Sequence, residues 1–261
     1  QPCESWDAIY HTGHYLCIAA MRLRRTGDQS IVPHILKTLD TVLEQGINFR
    51  GFNSEGEYWR DYLLTKYYPE WGDKEVFRDT SRDQILCLNV GLVFLQKMLR
   101  DEPQKYKKVL DKVVQVAKMA KRELVDANYD LGTTDGDCRT YEIPFSLCFN
   151  YIIPKNDRKP LNYSKRSKWY FKIMRYLQPL LWSIPRVQKH QYFSLELTIQ
   201  TLFLILTCFD EANEGVYSTK VKKTAKKCFK ALMKFCESHE NLYKGYLGNR
   251  KTLTCLQQYC T

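Results

Sequence analysis

Helical periodicity runs through almost the whole chain, and alternating apolar and polar runs of the kind a half-buried strand needs are scarce. That one feature restricts the fold more than any other, because a pattern with a period near 3.6 buries a continuous face only when wound as a helix. The spacing predicts helices over 5–24, 31–45, 81–100, 103–125, 141–153, 167–182, 193–212 and 218–237, with a short last one near 249–259. Turn chemistry separates them: Gly27-Asp28, Gly46, Asp101-Glu102-Pro103 and Asn213-Glu214-Gly215. Short turns between long helices make antiparallel neighbours, so the expected fold is all-α, a single domain over 1–261 built of stacked antiparallel α-hairpins. Helix content should be at least about 60%. No repeat of fixed period stands out, which argues against an ordinary solenoid. The best internal break is 155–166, rich in Lys, Arg, Asn and Pro.

The apolar segment 195–209 carries Glu196 and Gln200 and is shorter than a bilayer span, so no transmembrane segment is expected. The formal charge of +11 is one-sided. Residues 1–100 hold 12 Lys and Arg against 13 Asp and Glu, so the whole excess lies further along, 28 against 16. Its densest stretch is Lys220, Lys222, Lys223, Lys226, Lys227, Lys230 and Lys234, interleaved with Val221, Ala225, Cys228, Leu232 and Phe235 at helical spacing. Such lysines form the outer face of an amphipathic helix, either merely solvated or available to a polyanion such as nucleic acid.

Ten cysteines are scattered without a CxxC pair, so structural zinc is not expected. Cys17, Cys87, Cys208 and Cys228 fall on apolar helical positions and should be buried thiols. An even cysteine count permits up to five bridges if the protein is exported, Asn162-Tyr163-Ser164 matches a glycosylation acceptor, and a first residue other than Met fits either a cleaved signal or a trimmed chain, so the compartment stays open with a lean towards secretion.

Three groups of residues could carry chemistry. On the first helix, Asp7, His11 and His14 share a stripe that continues through Ile18 and Met21. Ile18 and Met21 are expected in the core, with Asp7 and the histidines at a cleft mouth above it. Asp7 four residues before His11 would orient the imidazole for acid or base work, while HxxH alone is a weak metal signal. The second group is Asp79-Thr80-Ser81-Arg82-Asp83-Gln84. Ser81 and Gln84 have capping-box spacing. Asp83 is left over, heading a stripe through Val90 and Phe94, and should point inward with Arg82 beside it. The third comprises two long connections, 47–80 and 126–140. Phe49-Arg50-Gly51-Phe52 and Glu57-Tyr58-Trp59-Arg60 place aromatics next to charges, and Asp130, Asp135 and Asp137 cluster carboxylates. The acidic segment lacks the spacing of a calcium loop and reads as an acidic turn, so neither metal nor cofactor is expected. Aromatic platforms with Asp, Arg and His suit carbohydrate.

Trp6-Asp7, His11-Thr12-Gly13-His14, Phe49-Arg50, Trp59 and Ser81-Arg82-Asp83-Gln84 together resemble a group of uncharacterised bacterial secreted or surface proteins with an (α/α) toroid fold. The resemblance covers about the first 90 residues. It implies a toroid or partial toroid, the architecture of many glycoside hydrolases and polysaccharide lyases, in which the first and third helices face a central cleft. The expected function is then glycan binding or cleavage. In a hydrolase, Asp83 and one of Asp7, Asp137 or Glu57 would be acid and base. His11, His14, Arg50, Arg82 and Trp59 would hold substrate. Fold alone licenses no activity. The alternatives are an interaction module that binds nucleic acid or another polyanion through the basic C-terminal half, or a helical adaptor for another protein.

Overall fold

A computed structural model of the protein describes residues 8–45, 82–130, 138–158, 192–213, 215 and 217–238. Of these residues 85% are helical, and no strand occurs among them. Seven α-helices lie among the described residues: α1 (Ala8–Thr26), α2 (Val32–Gln45), α3 (Arg82–Leu99), α4 (Lys107–Asp126), α5 (Glu142–Ile152), α6 (Tyr192–Ala212) and α7 (Thr219–Ser238). Each lies within a few residues of a helix expected from periodicity. The segments 167–182 and 249–259 lie outside the described residues. No described helix is long and apolar enough to cross a membrane. The chain divides into two compact units, Gln1–Arg139 and Thr140–Thr261.

In the first unit, α1 packs along α3 and α2 along α4. The Cys87 thiol donates to the Tyr10 carbonyl at 3.1 Å, Arg24 reaches Asp101 at 3.1 Å, and the Gln29 amide donates to the Tyr106 hydroxyl at 3.1 Å. All three pairs have the same sequence separation of 77. A constant positive offset means that the two segments advance together, so α1 and α3 run side by side in the same direction. Two helix-turn-helix segments therefore stack in register without any repeat in sequence.

The closeness of α1 and α3 has a specific cause. A Cβ at Gly13 would stand 2.7 Å from the Leu88 nitrogen and closer still to the Cys87 carbonyl. One at Gly91 would stand 2.7 Å from the Gly13 carbonyl oxygen. The two helices touch backbone to backbone because neither has a side chain there. A mid-helix glycine costs about 1 kcal/mol relative to alanine, and here the close approach is what it permits. Ile9, Leu16, Ala20 and Leu23 complete the buried side of α1, and α3 is buried without interruption from Gln84 to Leu95.

Turns in this unit are locally specified. Gly27 ends α1 in the left-handed region at φ 67°, its N–H on the Leu23 carbonyl. Asp28 then caps the short turn Gln29–Ile31 by accepting from the Ser30 N–H. At the end of α4, Tyr129 N–H returns to Leu124 and Asn128 N–H to Val125, with Asn128 at φ 50°. That is a Schellman motif with Asn in the usual glycine place.

In the second unit, α6 lies against both α5 and α7. Every residue of α5 is buried, Phe145 and Phe149 fully. The Asn150 amide donates to the Ala212 carbonyl at the far end of α6. Asn213 clips the turn into α7, donating to the Tyr217 carbonyl and accepting from its N–H at 2.8 and 2.7 Å.

Candidate functional site

Of the residues expected to act, His11, His14, Arg82 and Asp83 are described; Asp7, Arg50, Glu57, Trp59 and Asp137 lie outside the described residues. His11 is exposed and His14 half-buried. The Tyr10 ring meets both imidazoles edge-on, at centroid separations of 5.8 and 4.6 Å. The stripe they head does not enter the core as expected from the sequence, since Ile18 is 61% exposed. The reason is competition between two apolar sides of α1. Contact at Gly13 lets α1 approach α3 far more closely than the bulkier His11–His14–Ile18 side would, and the tighter contact wins.

Arg82 and Asp83 open α3, both half-buried. Asp83 stands one turn before Cys87, the residue that bonds to α1, so it belongs to the α1 side of α3. It lies in the first turn of the helix. His11 instead projects from the side of α1 turned away from this seam, on the helical spacing that puts Gly13 against α3. The structure therefore brings Arg82 and Asp83 to one end of the α1–α3 pair and sets His11 on another surface. Ser81 is outside the described residues; Gln84 is buried.

The acidic connection after α4 is closed at its neck. Cys138 N–H donates to the Tyr129 carbonyl at 2.7 Å, and Arg139 pairs with Asp130 at 3.1 Å. Asp130, read from sequence as one of a carboxylate cluster, is thus held by an arginine. Among the described residues, no three His, Cys, Asp or Glu side chains come together as a metal set. Cys87, Cys138, Cys148, Cys208 and Cys228 are buried thiols. Cys17 keeps some surface, yet its sulfur is enclosed enough that desolvation pushes the thiol well up. Burial does the same to Cys148.

The most complete surface is on α7. Ala225, Cys228, Phe229 and Leu232 are buried, which fixes the rotation of the helix about its axis. Lys220, Lys223, Lys226, Lys227 and Lys230 are consequently exposed together. Lys222 departs from the sequence expectation: it is half-buried and ion-paired with Asp210 on α6. The signal was present in its spacing, because Lys222 falls about 200° round the helix from Lys220 and so off the common face. Between residues 215 and 236 the sequence has no Asp or Glu, so no acidic residue interrupts the row from Lys220 to Lys230, and the one acid of α7, Glu237, comes after it. The exposed side of α4 is different, with Lys107 on Asp111, and Lys112 on Asp40 of α2.

Comparison of the chain with protein-family models, with curated proteins and with solved structures finds no match.

Proposed function

We propose that the protein is a helical binding module that holds a polyanion on the lysine face of α7. The carrying observation is the exposure of five lysines on one side of a helix whose other side is committed to the interior. Exposed surfaces of folded domains ordinarily mix both signs, as α4 does. Lysines three and four residues apart repel one another by a few tenths of a kcal/mol per pair. An unmixed row accepts that cost and creates a local positive potential suited to a chain of negative charges. The test is retention on immobilised heparin as a generic polyanion. The parent should elute at raised salt, and Lys223→Glu with Lys227→Glu should flow through. Equal retention of both proteins would refute the reading.

A second reading keeps the glycan cleft of a toroid-like fold, and what favours it is the half-buried Asp83 beside Arg82 on the α1 side of α3. Paired acidic and guanidinium groups at such a seam would chelate sugar hydroxyls. In a screen of acidic and neutral polysaccharides, Asp83→Asn should abolish binding or turnover while leaving the melting temperature within a few degrees. Unfolding by this substitution, or unchanged binding, would make the residue structural.

A further inference from the structure

We infer that the polyanion is the phosphate backbone of a double-stranded nucleic acid, gripped without reading the bases; the inference rests on the reading of α7 given above. Lys220, Lys223, Lys227 and Lys230 follow the spacing i, i+3, i+7, i+10, a single stripe on a helix. At 1.5 Å per residue the stripe is about 15 Å long. One strand of a duplex places a phosphate every 3.4 Å of axis, so about four phosphates of one strand lie along that length. Because each strand winds round the axis, the straight row does not track a single strand; it faces a surface that carries one phosphate charge per about 1.7 Å of axis with both strands counted, where each of the four lysines can neutralise one phosphate, with Lys226 exposed beside them.

Other polyanionic partners fit less well. Binding of single strands uses aromatic platforms on which bases stack. Among the described residues the only large apolar side chains strongly exposed are Ile18 and Val125, and neither is on α7. Helices that lie in a membrane surface bury an apolar face among lipid tails. The apolar face of α7, with Phe229 and Leu232, is already used inside the protein. The row is also all lysine. A lysine ammonium is a point charge on a flexible stem and tracks phosphates, whereas reading guanine in the groove favours the planar fork of arginine.

The test uses the full chain and a mixed-sequence DNA duplex of about two turns, followed by fluorescence anisotropy across a salt series. Four phosphate contacts predict a slope of log K against log salt near −3.6, or about a 100-fold loss of affinity between 50 and 200 mM salt. Two unrelated duplexes should bind within a few-fold of each other. Lys223→Gln with Lys227→Gln should weaken binding and bring the slope up by about 2, while the exposed pair Lys37→Gln with Lys108→Gln in the first unit should change neither. Gln keeps helix propensity, and circular dichroism of each variant verifies folding. A slope shallower than about −1 would overturn the inference, as would tenfold discrimination between the duplexes or tighter binding to phosphatidylserine vesicles. If heparin is retained through the same lysines but the duplex is not, the nucleic-acid inference fails and the polyanion reading stands. If neither binds, both fail.

Discussion

Gly13→Ala sets two physical arguments against each other with opposite signs. Helix propensity alone predicts a gain of about 1 kcal/mol, because alanine restricts the unfolded chain and suits a helix interior. The packing predicts a loss. The added methyl would lie 2.7 Å from the Leu88 nitrogen, where ordinary contact begins near 3.4 Å, so α1 and α3 must part by at least about 0.7 Å. The atoms in the way belong to the α3 backbone and cannot rotate aside. A gap of 0.5–1 Å forfeits about a quarter to a half of each dispersion contact it opens. At this contact Leu16 and Leu88 are both fully buried. Overpacking costs about 1–3 kcal/mol, and with immovable backbone in the way the upper half of that range, about 2–3 kcal/mol, applies, so after the propensity gain of about 1 kcal/mol the expected net destabilisation is about 1–2 kcal/mol. Urea unfolding followed by far-UV circular dichroism measures it. Gly91→Ala should act the same way through the Gly13 carbonyl, and the double variant should cost less than the two together, since helices already parted accept the second methyl more easily. A neutral or stabilising Gly13→Ala would refute the backbone contact and with it the parallel pairing of α1 and α3.

The remaining expectations concern other parts of the molecule. Gly27→Ala should destabilise by about 1–2 kcal/mol through backbone strain alone, because a Cβ there would meet nothing within 4 Å while φ is 67°; a melting curve unchanged from the parent would refute this. The Ser30 hydroxyl, then the Ser30 N–H and Arg22, hold the Asp28 carboxyl below its usual range. A folded-state pKa below the unfolded one makes its contribution present above about pH 4 and lost as the pH falls through the depressed value. Asp28→Asn should therefore be less stable than the parent near neutrality, with the difference closing in acid; a pH-independent difference would contradict the assignment. Buried thiols with raised pKa react slowly, so in the native protein Cys148 should resist alkylation at neutral pH and react after denaturation. Rapid native labelling at Cys148 would show that α5 is not enclosed as described.

Element type and extent were legible in the residues themselves. A helix with one apolar side carries its signal within its own length, as in α7, where Ala225, Cys228 and Leu232 predicted both the buried face and the exposure of the lysines opposite. Caps and turns are local too, and Gly27-Asp28 and Asn213 do what their chemistry suggests. What periodicity could not supply was the choice between competing faces and the pairing of distant segments. α1 is apolar on nearly every side, and its own sequence cannot tell whether Ile18 or Ala20 goes inward. That was settled 78 residues away by Gly91, whose missing side chain lets Gly13 approach. Asp83 was placed on an inward stripe by the spacing within α3, but its separation from His11 depended on the rotation of a different helix. Lys222 is off the lysine row by its spacing alone, but its partner, Asp210 on α6, was supplied only by the packing. Helical winding depends on hydrogen bonds and side chains a few residues apart, and so is written locally. Which two surfaces meet depends on the fit between elements far apart in the chain, and that fit exists only once they are packed.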